Sequence, residues 1–472
     1  MFKKILISNR GEIALRIVRA CKEMGIAAVT IHSEADRYAL HVKRGTQSHC
    51  LSKQPLDAYL NGHRIIECAK MAGCEAIHPG YGFLSENPEF AAACEQAGLV
   101  FIGPTASVIA TMGSKVAARR AMQQAQIPVI PGSDGNLQSI DEAIRCAEKI
   151  GYPVMLKATF GGGGRGIRIC RDAEEVAQQY ARVQSEAGKA FGNTDLFLEK
   201  MIVNPRHIEV QILADHYGTV LHLFERDCSV QRRHQKLVEV APAMHIDDKT
   251  REVLYHYAIK AAHTVNYTNA GTVEFILDEN NTPYFLEMNT RLQVEHPITE
   301  AITGIDLVQQ QILIAAGEKL TMKQDDIKRF GYAMEFRINA EDPQNDFLPS
   351  FGRITRYYAS GGPGVRTDSA IYTGYTISPD YDSLCAKLIV WALDWPSLLR
   401  RARRALEETR LFGVKTTIPY YLEMLKSEAF QKGDLNTGLV DAHPEWLRYS
   451  NKSLPQHKAA IIAAAITMAI KS

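Results

Sequence analysis

The chain has 472 residues, 46% of them apolar, which excludes a disordered segment and provides for two or three domains, each with its own core. Fifty-four Lys and Arg stand against fifty-three Asp and Glu, so the formal charge of +1 excludes a global attraction to nucleic acid or anionic lipid; anion binding has to be local. The nine cysteines form no C-x-x-C pair and are odd in number, which fits reduced, mostly buried thiols and a cytoplasmic setting.

The start, MFKKILISNRGEIALR, is charged within ten residues and has no signal-peptide apolar run. The longest apolar tract, 459–470, is too short to span a bilayer, so no membrane segment is expected. KILIS (4–8) is a short apolar run, EIALRIVRACKEMG has helical spacing, and AAVTIHS (27–33) is again a strand, which predicts βαβ units and a mostly parallel sheet. Asp36 follows the second strand where a ribose-binding acid would lie, but the turn SNRGE has one glycine and no G-x-G-x-x-G, which argues against dinucleotide binding. HPGYGFLSEN (78–87) is a Gly- and Pro-punctuated loop, either facing a ligand or making a tight connection.

YPVMLKATFGGGGRGIRIC (152–170) puts Lys157 at the end of an apolar strand, then four glycines, then another strand. Consecutive glycines leave backbone N–H groups free to close over an anion, and Lys157 adds a point charge for phosphate. A Walker A loop needs G-K-[ST] opening a helix; here the lysine precedes the glycines, which makes a strand-loop-strand flap expected to close over a nucleotide.

AGTVEFILDENNTPYFLEMN (270–289) has two apolar runs about the polar turn DENNTP and predicts an antiparallel hairpin centred near Asn280 and Asn281. That centre sets Glu274 opposite Glu287, with β-carbons about 5 Å apart, and like charges across a ladder are destabilising. A cation between them removes the conflict. Hard oxygen ligands suit Mg²⁺ or Mn²⁺, with Asn289 able to add a carbonyl.

HPGYGFLSEN, KATFGGGGRG, FLEKMIVNPRHIEVQIL, ERDCSVQRRHQK, the Glu274 hairpin, EMNTRLQVEHPITE and FRINAEDP, in this order, resemble biotin carboxylase, a member of the ATP-grasp enzymes, from residue 1 to about 445. The resemblance implies a mixed α/β and α+β chain in three parts: a Rossmann-like N-terminal domain (1–114), an ATP-grasp domain (115–330) with a mobile lid near 131–203, and a C-terminal domain (331–446), followed by a tail (447–472). The activity it implies is ATP-driven carboxylation of biotin by bicarbonate through carboxyphosphate. Residues matching Lys115, Lys157, Gly163, Gly164, Glu199, Lys200, Met201, Ile202, His207, Gln231, His234 and Ile276 surround the nucleotide in the family. Those matching Glu274, Glu287 and Asn289 hold the metals, the two acids also facing the nucleotide. Lys236, Arg291, Gln293 and Val294 match the bicarbonate site, and Tyr81 falls with the bicarbonate and biotin group. Glu295 matches the general base, Arg337 matches the residue that stabilises the enolate form of biotin, and Lys236 and Arg291 join them as catalytic residues.

Geometry constrains that assignment. Eight residue steps from Glu287 to Glu295 would cover roughly 26 Å if extended, too far for one site. Pro297 fits the first turn of a helix, so a bend is expected near 290–296 that brings Arg291 and Glu295 back over the phosphates. In 231–236, strict alternation separates Gln231 from His234 and Lys236, so a bulge or bend is expected there too. Arg337 lies in an apolar strand and alone would equally suit a structural ion pair; Cys228 is expected to be a packed thiol.

No A-M-K-M biotin-acceptor sequence occurs, and no stretch beyond 445 is large enough for a carrier or carboxyltransferase domain. Biotin is therefore expected on a partner chain, a carrier and carboxyltransferase subunit, with the carboxylase part a homodimer as is common in the family. Phe160 departs from the small residue associated with acetyl-CoA carboxylase subunits, and FLPSFGRITRYYASGGPGVRTDSAIYTGYT with AHPEWLRYS is most like the biotin carboxylase subunit of two-subunit pyruvate carboxylases; acetyl-CoA or another acyl-CoA is the alternative acceptor. The tail KAAIIAAAITMAIKS (458–472) is expected to dock on the partner or on the protein's own surface. A different ATP-grasp ligase would have no reason to combine HPGYGFLSEN, Arg337 and RLQVEHP, and an inactive regulatory subunit would be expected to have lost a metal ligand or the base, which this chain has not.

Overall fold

The computed structural model describes residues 1–159 and 166–449; the glycines at 161–164, including Gly163 and Gly164, and the apolar tail lie outside the described residues. The N-terminal region is a five-stranded sheet in the order β3-β2-β1-β4-β5, built from β1 (Lys4–Ile7), β2 (Ala27–Ser33), β3 (Gln47–Ser52), β4 (Ala76–His78) and β5 (Val100–Phe101). Every pairing in it is parallel, as the alternation of short apolar strands with helical spacing predicts. Asp36 is spent internally: its carboxylate accepts from Arg10 Nε and from the Tyr59 hydroxyl, each at 2.7 Å. The loop after β4 is a tight connection that borders a cleft. Asn9 Nδ2 donates to the Pro79 and Tyr81 carbonyls, each at 2.7 Å, pinning the loop, while the Tyr81 side chain lines the large cleft described below. Gly80 has φ +65°, and a Cβ there would sit 3.0 Å from Asn9 Nδ2.

A second unit carries the flap. Strands β6 (Val154–Ala158), β7 (Ile167–Cys170) and β8 (Leu196–Lys200) form an antiparallel sheet in the order β7-β6-β8. Helices Ile140–Ile150 and Ala173–Phe191 accompany it, and its core of Val154, Leu156, Val176, Val183 and Leu198 is separate from the other cores. Lys157 pairs with Ile167 across the ladder, so two strands bracket the glycine segment as expected.

The cleft floor is an eight-stranded antiparallel sheet. Its strands are β9 (Arg206–Ala214), β10 (Val220–Arg232), β11 (Gln235–Ala241), β12 (Asn269–Leu277), β13 (Pro283–Asn289), β14 (Tyr332–Asn339), β15 (Val365–Ser369) and β16 (Leu384–Ala392), in the order β13-β12-β9-β10-β11-β14-β16-β15. It runs unbroken across residue 330, because β11 hydrogen-bonds to β14. The helix Gly11–Glu23 contributes Ile13 and Ile17 to a core that also holds Leu213, Leu221, Leu307 and Ile312, which seats the N-terminal region against this sheet.

Two local irregularities aim the site residues. Asp278 Oδ1 accepts from the backbone N–H groups of Asn280 and Thr282, an Asx turn that closes the β12–β13 hairpin at Leu277 and Pro283. That closure alone would face Glu274 with Leu286. A one-residue bulge between the Phe275–Phe285 and Glu274–Glu287 pairs restores the predicted opposition of the two acids. In the basic run, β10 and β11 form a hairpin with Arg233 and His234 at its tip, both at positive φ (49° and 63°), and Gln231 faces Lys236 directly. The expected bend is thus a hairpin turn.

Candidate active site

One cleft of about 1370 Å³ lies between the flap unit, the large sheet and the N-terminal loop. It is lined by Lys115, Lys157, Glu199, Lys200, Met201, Ile202, His207, Gln231, His234, Ile276, Glu274, Glu287 and Asn289, together with Tyr81, Lys236, Arg291, Gln293, Val294, Glu295 and Arg337. Those are all the site residues that the family resemblance implies, except Gly163 and Gly164, which lie outside the described residues.

At the flap end, Lys157 Nζ meets Glu199 Oε2 at 2.5 Å, and Arg119 reaches the other oxygen at 3.3 Å. The Lys200 ammonium is used elsewhere, donating to the Gly151 and Tyr152 carbonyls at 2.8 and 3.0 Å. Lys115 opens the helix Lys115–Gln124; burial lowers its pKa against the pull of Glu287. Burial also lowers the pKa of His234, helped by the charges of Lys157 and His207.

At the other end the strand stops at Asn289 and the chain bends into the helix His296–Thr303, with Glu295 as its N-cap residue and Pro297 in the first turn. The bend returns Glu295 to the sheet, where Oε1 accepts from Lys236 Nζ at 2.7 Å and Oε2 from Arg337 Nη2 at 2.8 Å. Glu274 accepts from His207 Nε2 at 2.7 Å, Asn289 Nδ2 at 2.6 Å, Gln293 Nε2 at 2.7 Å and Lys236 at 3.3 Å. Among the described residues, the Glu287 carboxylate has no hydrogen-bond partner.

These contacts set the charges. Burial alone would raise the pKa of Glu295, but Lys236, Arg337 and Arg226 outweigh it and hold the carboxyl ionised, well below the usual carboxylate range. Burial, then the charge of Glu274, pushes Glu287 up, with Lys115 opposing. Burial would lower the pKa of Lys236, yet Glu209, Glu274 and Glu295 keep it well above its ordinary value.

Four side chains of this network carry no signal in the sequence strong enough to single them out. Glu209 is fully buried and ion-paired to Lys236, and burial with the nearby carboxylates pushes its pKa up to about 7. Arg226, with no exposure, donates to Gln293 Oε1 (2.5 Å), Gln211 Oε1 (2.6 Å), Thr272 and Thr299 Oγ1 (3.0 Å each) and Glu209 (3.2 Å). Glu239 accepts from Arg337 Nε at 2.6 Å, and Glu86 accepts from Arg291 Nε at 2.8 Å. Glu209 follows His207 at the strand period and Glu86 lies in HPGYGFLSEN; those are the only hints the chain offers. Cys228 is a buried free thiol whose pKa burial raises well above normal, as expected of a packed residue. Among the described residues, no helix is long and apolar enough to cross a membrane.

The chain is similar in sequence and fold to known families and solved structures. Residues 1–109 match the biotin carboxylase N-terminal domain, 114–323 the carbamoyl-phosphate synthase L chain ATP binding domain, and 335–442 the biotin carboxylase C-terminal domain. The 2-oxoglutarate carboxylase small subunit of Hydrogenobacter thermophilus is 52% identical over 466 residues, 99% of each chain. A pyruvate carboxylase subunit of Methanothermobacter thermautotrophicus is 48% identical over 483 aligned residues, 99% of this chain and 98% of that one. A solved dimer of the biotin carboxylase domain of the Hydrogenobacter thermophilus 2-oxoglutarate carboxylase, in complex with MgADP, ADP and bicarbonate, superposes with a TM-score of 0.93 at 53% identity, covering 96% of this chain and 100% of that one. Fold and cleft define an ATP-grasp ligase. Within that class the chain belongs to the biotin carboxylase family, enzymes that use ATP and bicarbonate to carboxylate biotin.

Proposed function

We propose that the two ends of the cleft divide the work of the reaction. Lys115, Lys157 and the glycine flap with Gly163 and Gly164 grip the phosphates of ATP, while Glu199, Lys200, Met201, Ile202, His207, Gln231, His234 and Ile276 surround the rest of the nucleotide. Glu274 and Glu287, with Asn289, fit an Mg²⁺ or Mn²⁺ site, since Glu287 has no protein donor among the described residues and its charge is disfavoured beside Glu274. When bound, the ion would neutralise charge on the phosphates.

Bicarbonate is a poor electrophile and needs the γ-phosphoryl group to become carboxyphosphate. In this reading Lys236, Arg291, Gln293 and Val294 hold bicarbonate, and Glu295 takes its proton as the oxygen attacks the γ-phosphorus of ATP, whose bond to the bridging oxygen breaks to release ADP. Carboxyphosphate then passes its carboxyl carbon to the ureido nitrogen of biotin, its C–O bond breaking to release phosphate, which carries off the ureido proton; Arg337 stabilises the enolate form of biotin left by that deprotonation, and the biotin ring lies near Tyr81. The single observation that carries this reading is the Glu295 carboxylate fixed between Lys236 and Arg337 in the cleft that also holds the opposed Glu274 and Glu287.

Biotin arrives on a partner carrier and carboxyltransferase subunit, the chain works as a homodimer, and the acceptor is pyruvate. An acyl-CoA acceptor is the second reading. ATP cleavage that requires bicarbonate and rises with free biotin tests the chemistry; its absence would remove the reading. Copurified partner supplied with pyruvate, 2-oxoglutarate or acetyl-CoA identifies the acceptor by which one is carboxylated.

A further inference from the structure

Behind the cleft wall lies an ion pair that the proposed chemistry does not use. Lys387, on β16, has no exposure, and its Nζ lies 2.8 Å from the carbonyl oxygen of Val294 and 3.1 Å from Glu12 Oε1. Glu12 stands in the first turn of the helix Gly11–Glu23 and accepts a hydrogen bond from the Tyr81 hydroxyl; its Oε2 is buried without a partner among the described residues. A string Tyr81–Glu12–Lys387–Val294 therefore joins the loop of the N-terminal region to the bend that carries Glu295.

Lys387 faces Arg337 across the β14–β16 ladder, so neighbouring cations on one sheet face hold Glu295 in two ways: Arg337 its carboxylate, Lys387 the carbonyl of the peptide that leads into it. The Val294 carbonyl and the Glu295 N–H share one rigid peptide plane, so a bond to the carbonyl also fixes the residue that follows. A buried charge pair is costly to desolvate, and an apolar pair would pack as well; what Lys387 and Glu12 add is direction. Burial works to lower the Lys387 pKa, but the carboxylates of Glu12, Glu335 and Asp368 outweigh it and keep the amine charged.

We propose that Lys387 is a positioning residue that, through Glu12 and Tyr81 on one side and the Val294 carbonyl on the other, sets the distance between the biotin-facing loop and the bicarbonate-holding bend. This rests on the reading that Tyr81 faces biotin and the 291–295 bend holds bicarbonate. It assigns Lys387 no contact with either substrate.

The test is steady-state kinetics of Lys387→Met and Glu12→Gln with free biotin. The expected result is a bicarbonate KM raised about 10- to 100-fold, an unchanged MgATP KM, and fewer carboxybiotins formed per ATP cleaved. If Lys387→Met does not fold, the isosteric Glu12→Gln decides by the same three readings. Folded variants with wild-type bicarbonate KM and coupling, or with MgATP and bicarbonate affinity lost in parallel, overturn the proposal. Wild-type protein without bicarbonate-dependent turnover would overturn the underlying functional reading with it, whereas normal wild-type turnover and unaltered variants overturn the positioning role alone.

Discussion

Glu287→Gln should make the protein more stable and less able to bind its nucleotide. Glu274 and Glu287 are a directly opposed pair in the β12–β13 ladder. Two carboxylates about 5–6 Å apart repel by about 3 kcal/mol at an effective dielectric of about 20. His207 and Lys236 at Glu274, and Lys115 near Glu287, offset part of that, leaving a net gain on the order of 1 kcal/mol when one charge is removed. Without divalent metal at about pH 8 the variant should therefore melt a few degrees above wild type. With MgATP the order should reverse: wild type at a ligand concentration of about 100 Kd gains about 2.7 kcal/mol, and the variant, lacking a metal ligand, gains much less. Thermal melts of both proteins with and without MgATP read both signs at once. A variant that melts below wild type without metal yet shows the full MgATP shift would refute the idea that the opposed acids are held for a cation.

Hydrogen exchange across the described parts of 131–203 should slow on adding MgATP, because that unit has its own core and carries the flap; unchanged exchange there would argue against a phosphate-closing lid. Acid should destabilise the chain from about pH 6.5 downward, because burial holds His41 and His222 at about 4 and His78 at about 3. The unfolded chain then binds more protons than the folded one between about pH 6.5 and pH 3, so stability falls with pH through that window, on the order of 1–2 kcal/mol per histidine by pH 5. His78 Nδ1 accepts from the Gly80 N–H at 3.1 Å, a bond only the neutral ring can make, and a Tm that is flat between pH 8 and pH 5 would count against this account.

Much of the site was legible because its residues sit in short segments with strong local signals. The opposition of Glu274 and Glu287 followed from a turn of Asp, Asn and Pro, although the register came out right only through the bulge at Leu286, which no local pattern announces. The bend after Asn289 followed from chain length and Pro297. Glu209, Arg226 and Glu239 stayed hidden because β9, β10 and β11 are buried on both faces, so alternation no longer separates a cleft-facing side chain from a core one. The Lys387 contact spans 93 positions to Val294 and depends on the pairing of β14 with β16, which a single sequence does not specify.

If the stretch 287–295 holds metal at one end and a base at the other, Glu295→Gln separates the two ends most directly. An amide fills the space but cannot take a proton, so calorimetric titration should find MgATP binding as in wild type, while bicarbonate-dependent turnover falls by about 10²- to 10⁴-fold. If Glu295→Gln abolished nucleotide binding together with turnover, the stretch would be one undivided metal site and Glu295 would not be the base.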